Sequence, residues 1–305
     1  MSGTVLVGTA SWTDKSLIAS KRFYPKGTTS AEARLRYYAS RFPIVEVDSS
    51  YYAMPSSANA QLWAERTPAK FIFNIKAFRA MTRHQTPHMA LPADLKSLVA
   101  PGTRGNVYAK DMPPELVDEL WRRYAVAIRP LREAGKLGVV HFQFPPWFTA
   151  TRDSYAYLDE VRERMGEHLV AVEFRHKSWF TEANTEALLA FLTERHLVNV
   201  VVDEPQGAAN SIPSVWAATH PALALVRLHG RNDATWNIKD ATAASDRFNY
   251  DYTEAELTDL SSPILRLSQE AAATHVIFNN NFEDQGPRNA TSLRRILGDA
   301  SPATW

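Results

Sequence analysis

Short apolar runs with a polar residue at every second position recur along this chain, separated by longer stretches whose apolar residues return every three or four positions. From Leu169 to Arg175, an extended strand turns Val170, Val172 and Phe174 one way and Ala171, Glu173 and Arg175 the other. The same alternation sets Val45 and Val47 against Glu46 and Asp48, and Val226 and Leu228 against Arg227 and His229. Eight segments read as strands: Thr4–Thr9, Ile44–Ser49, Lys70–Lys76, Leu137–Phe144, Leu169–Arg175, Val198–Asp203, Leu223–His229 and His275–Asn279. Helical spacing marks 30–42, 113–135, 181–196 and 253–273. Ser30 with Glu32, and Thr181, fit helix starts, and Gly135 fits a helix end.

Strands that alternate with helices pair in parallel, and eight of them close into a (β/α)8 TIM barrel, here expected as one domain over 1–305. The rival is an open doubly wound sheet. It fits less well, because no G-x-G-x-x-G follows the first strand and one strand face turns polar toward the C-terminal end. The segment Ala77–Asp111 is too long for a plain connection and is expected to form an excursion with its own short helix, or a lid after the third strand.

Strand parity assigns to the barrel interior Thr9, Glu46, Asp48, Asn74, Lys76, His141, Gln143, Glu173, Arg175, Asp203, Arg227, His229 and Asn279. Charges of both signs in one lumen must pair, since an isolated buried charge would neutralise. Catalytic residues of such barrels sit at the C-terminal strand ends, so Glu173 or Asp203 is expected as general base and His229 as acid or electrophile. Lys76, Arg175 and Arg227 fit a clamp for an anionic group, with Gln143 and Asn279 orienting it. Glu46 and Asp48 join the ligand-binding set. Trp12, Tyr52, Trp147, Trp179 and Trp236 follow polar strand ends and suggest a stacking wall for a sugar ring or base.

Composition narrows the function. With 34 basic and 33 acidic residues the chain carries no global nucleic-acid footprint, and without cysteine it has neither disulfides nor thiolate metal sites. No cofactor is expected. A divalent metal on Glu173, Asp203, His229 and Asn279 is the alternative weighed, against nine histidines spread along the chain and no H-E-x-x-H. No membrane span or leader pattern is visible, which points to a cytoplasmic protein. The expected partner is a small anionic molecule such as a sugar phosphate or nucleotide. A nucleic-acid partner is the second reading, on Arg79, Arg83, Lys96, Arg104 and Lys110 of the excursion. Oligomeric state is not encoded in any pattern seen here.

The motifs VGTASWTD, FYPKG, LRYYASRFPIVEVDSSYYAMPS, FIFNIKAF, HFQFPPWF, VEFRHKSWF and RLHGRN, in this order, resemble the domain-of-unknown-function-72 family, also called YecE-like, over Val5 to about Arg294. The resemblance implies a TIM barrel related in shape to endonuclease IV and sugar isomerases, with no established activity. Its recurring polar positions fall on Ser11, Trp12, Glu46, Asp48, Ser50, Tyr52, Lys76, Gln143, Glu173, Arg175, Trp179, Arg227, His229 and Gly230. This chain departs from the family pattern where Arg83 separates Thr82 from His84.

Overall fold

The computed structural model describes residues 3–99, 105–206, 210–236 and 247–302. Ten strands form: β1 (Thr4–Ala10), β2 (Ile44–Val47), β3 (Ile72–Lys76), β4 (Thr86–Pro87), β5 (Asn106–Val107), β6 (Leu137–Gln143), β7 (Val170–Glu173), β8 (Leu197–Asp203), β9 (Leu223–Leu228) and β10 (Ala273–Phe278). Eight of them close a parallel barrel in the order β1-β2-β3-β6-β7-β8-β9-β10, with β10 returning to β1. The (β/α)8 expectation therefore holds. β4 and β5 form a separate antiparallel pair inside the excursion.

The helices pack outside because each has one apolar stripe. In Pro114–Glu133 that stripe is Leu116, Leu120, Trp121, Tyr124, Ile128 and Leu131, and it lies against the outward rows of β3 and β6. Ser30 caps its helix as the sequence suggests, accepting from the Ala33 N–H, whereas Thr181 holds the cap position without a side-chain bond; Thr253 with Glu256 makes a reciprocal capping box. Gly135 takes the left-handed conformation, φ 67°, that ends a helix. Among the described residues no helix spans the β8–β9 connection, and none is long and apolar enough to cross a membrane.

Alternation along the strands separates two cores. The outward rows and the helices form the larger one. The inward rows form a narrower plug that includes Ile44, Val139, Ala171, Val198, Val200, Leu225 and Ile277. His275 reaches across the plug to Asn74, Nδ1 to Oδ1 3.0 Å. Gly138 makes that crossing possible, since a Cβ there would stand 2.5 Å from Asn74 Oδ1 and 3.0 Å from His275 Cε1. The described part of the excursion is packed down, burying Ala80, Met81, Leu91, Leu95, Val99 and Val107.

Candidate functional site

One step above the apolar plug, toward the C-terminal mouth, the inward rows become charged. Arg227 of β9 lies at the centre. Its Nη2 donates to Glu46 Oε1 of β2 at 2.6 Å, and its Nη1 to Glu173 Oε2 of β7 at 2.7 Å, with all three side chains fully buried. His141 of β6 lies between the same carboxylates, Nδ1 3.2 Å from Glu46 and Nε2 3.2 Å from Glu173. Burial alone would raise both carboxyls. The positive neighbours, Arg227 foremost, outweigh burial and hold both below the usual carboxylate range.

Asn279 and His229 complete this layer. Asn279 Oδ1 accepts from Arg227 Nη2 at 3.2 Å, which turns its amide so that Nδ2 donates to His229 Nδ1 at 2.9 Å. Burial first, and Arg227 second, push the His229 imidazole well below its ordinary value. The ring is therefore neutral, and its Nε2 lies 3.3 Å from Arg227 Nη1 and 3.7 Å from Glu173 Oε1.

A second layer reaches solvent. Lys76 Nζ, at the end of β3, lies 3.2 Å from Asp48 Oδ1 and donates to Gln143 Oε1 at 3.0 Å. Arg175 Nη1 contacts Glu173 at 3.2 Å and Glu204 at 2.9 Å. Trp236 covers this side, with Arg175 5.5 Å and Arg247 4.4 Å from its ring centre and the His229 ring at 6.4 Å. Burial raises the Asp48 and Glu204 carboxyls despite their cationic partners.

Two of the parity assignments are corrected. Asp203 points out of the barrel, where it accepts two hydrogen bonds from Arg231 Nε at 3.0 Å, one from Nη2 at 2.7 Å, and one from the Tyr252 hydroxyl at 2.6 Å. The inward row of β8 is Val198, Val200 and Val202, and the carboxylate that continues it is Glu204, which the sequence reading missed. Thr9 also faces outward, bonded through its N–H to the Tyr38 hydroxyl at 2.8 Å, while Ala10 takes the inward place. Glu173, Asp203 and His229 consequently do not converge. Among the described residues no three His, Asp or Glu side chains are arranged to hold a metal ion.

The aromatic wall is mostly core. Trp12 packs edge-on against Trp63 and Phe73 in the outer core. Trp179 is stacked on Phe174 and Phe148 and donates its indole N–H to the Phe148 carbonyl at 2.6 Å. Tyr52 is exposed beside Tyr51. His84 joins the mouth region by standing edge-on to both Tyr51 (5.2 Å) and Trp147 (5.8 Å). Of the excursion's basic residues, Arg79 lies over Tyr51 and Arg83 over Tyr157, and Arg104 falls outside the described residues.

Comparison with known proteins covers nearly the whole chain. The family described as "Protein of unknown function DUF72" matches residues 6–304. The UPF0759 protein YunF of Bacillus subtilis (strain 168) is 33% identical over 295 residues, 96% of this chain and 94% of that protein. The crystal structure of a DUF72 family protein from Enterococcus faecalis V583 superposes with a TM-score of 0.79 at 28% identity, covering 99% of both chains. One from Thermotoga maritima MSB8 gives 0.76 at 28% identity, over 96% of this chain and 99% of that one.

Proposed function

The chain belongs to the DUF72 family of proteins of unknown function, and from that starting point we propose that it is an enzyme acting on a small, polar, anionic molecule at the barrel's C-terminal mouth. The observation that carries this reading is a change of exposure between adjacent layers. Glu46, Glu173 and Arg227 are sealed at 0%, whereas Lys76, Asp48 and Arg175 keep 14%, 20% and 11% of their side chains open. A purely structural network has no reason to lift three charges to the rim while leaving donors unspent.

Both cations have donors to spare among the described residues. Arg175 uses only Nη1 on its carboxylates, so Nε and Nη2 remain as a planar fork suited to a carboxylate or phosphate. Lys76 donates to Gln143 and pairs by charge with Asp48, which leaves ammonium hydrogens for a ligand. Asp48 is the proton-transfer group, because its raised carboxyl is open to a ligand and adjoins Lys76. Glu173 instead anchors Arg227 and Arg175, since a carboxylate held so firmly ionised is a weak base. Glu204 positions Arg175, and neutral His229 fits an acid or electrophile.

The test begins with a thermal-shift screen of sugar phosphates and nucleotides on the purified full chain. The best binder is then titrated calorimetrically into wild type, Lys76→Met, Arg175→Gln and Asp48→Asn. Each cation loss weakens binding by about tenfold or more, the scale of one charge-assisted contact. Asp48→Asn keeps binding and loses turnover. Equal affinity across wild type and both cation variants would remove the clamp from the mouth.

A further inference from the structure

Beside the ion-pair layers, an open cleft of about 720 Å³ lies between the excursion and the segment that follows β6, a volume typical of small-molecule sites. We propose that this cleft is a second binding site, and that it takes a planar ring carrying a single phosphate, such as a nucleoside monophosphate. The site is separate from the ion-pair layers, and stands or falls independently of them.

Three features of the lining point to that ligand. The first is Trp147, more than half exposed at 55%. Pro145 and Pro146 end β6, Phe148 turns inward at 6% exposure, and the indole is left at the cleft surface, edge-on to His84. A large aromatic face kept open in this way is a stacking platform. Tyr108 lines the cleft with it.

The second is a pair of cations without carboxylate partners. Arg83 and Lys110 make no ion pair among the described residues, and two acids of the adjoining recess are already taken. Asp118 and Glu160, which line the adjoining recess with them, are bound to Arg164 at 2.8 and 2.7 Å. The Arg83 guanidinium instead lies flat over the Tyr157 ring, 3.6 Å from its centre, which fixes its plane and leaves its N–H edge for a bidentate acceptor.

The Arg83 backbone, at φ 62°, ends the short helix Arg79–Thr82 in the left-handed cap position, and its side chain lines the cleft. The third is the balance of charge. Asp153 also lines the cleft, so two cations face one carboxylate, a surplus that suits one phosphate better than a polyanionic strand.

Isothermal titration of adenosine 5′-monophosphate into the full chain tests the assignment. Arg83→Asn, which tolerates the left-handed backbone, and Trp147→Leu are the two variants, and Arg36→Gln is the distant control. The expected result is sub-millimolar binding to wild type and control, weakened about tenfold or more in each cleft variant. Adenosine and ribose 5-phosphate should each bind more weakly than the intact nucleotide, because each lacks half of the recognition. Unchanged melting temperatures in the two variants show that any loss is local. Absence of binding at about 1 mM nucleotide, wild-type affinity in both cleft variants, or ribose 5-phosphate binding as tightly as the nucleotide overturns the proposal.

Discussion

Replacing Arg227 with methionine removes the guanidinium that two sealed carboxylates share. Its contacts are 2.6 Å to Glu46 and 2.7 Å to Glu173, all at zero exposure, so water cannot substitute for the lost charge. Breaking a buried pair from one side costs about 3–5 kcal/mol, and with two acids orphaned the upper end applies. For a domain of this size, each kcal/mol moves the midpoint by roughly 1.5–2 °C, so Tm at pH 7 falls by about 8–10 °C. The pH dependence carries the sharper test. In wild type both carboxyls titrate below their ordinary value, so their contribution is complete at neutral pH and is lost only as pH falls through the depressed values. In Arg227→Met, burial dominates and raises them. The penalty is then full at neutral pH and fades as acid protonates them.

Thermal unfolding followed by circular dichroism should therefore show the gap between the two proteins narrowing from pH 7 toward about pH 4. The partners also differ. Glu173 retains Arg175 at 3.2 Å and Glu46 retains no arginine, so Glu46→Gln restores more stability to the variant than Glu173→Gln does. A loss under about 1 kcal/mol, or a gap independent of pH, would refute the assignment of Arg227 as the electrostatic centre.

Gly138→Ala should cost about 1–3 kcal/mol by overpacking, because its Cβ would meet Asn74, Ile72 and His275 at 2.5–3.0 Å; urea denaturation measures this, and a neutral result would mean the inner crossing is slack. Asp203→Asn should lower stability by about 2 kcal/mol through weakened bonds to Arg231 and Tyr252 while leaving ligand affinity at the mouth unchanged; a selective loss of affinity would return Asp203 to the site. The His84 ring is pushed down to about 4, first by burial and then by Arg79 and Lys76. Its neutral form stabilises the fold above the unfolded value near 6.5, and that contribution is lost as pH falls from 6.5 toward about 4. His84→Gln should flatten that part of the stability profile, and an unaltered slope would count against burial of the ring.

The barrel and most of its inner charges were legible in the chain itself, because in β2, β7 and β9 apolar and charged residues alternate without ambiguity, and period-two alternation determines which face a side chain takes. Glu46, Glu173, Arg227 and His229 were placed inward on that basis. In β8 the run Val200–Val201–Val202 is apolar on both faces, so its parity carries no signal. Pairing with β7 and β9 alone decided that Glu204 faces the lumen and Asp203 the helices. Small residues around Thr9 left β1 equally undetermined. Tryptophans after strand ends look alike in sequence, yet Trp12 and Trp179 are core while Trp147 is open, because the Trp63 and Phe148 rings that help to cover the first two come from segments tens of residues away. Depth along the lumen, which divides sealed Glu173 from open Asp48, depends on the stagger between strands. That stagger arises only when the sheet closes on itself, so strand patterns yield the face of each charge and closure alone determines its depth.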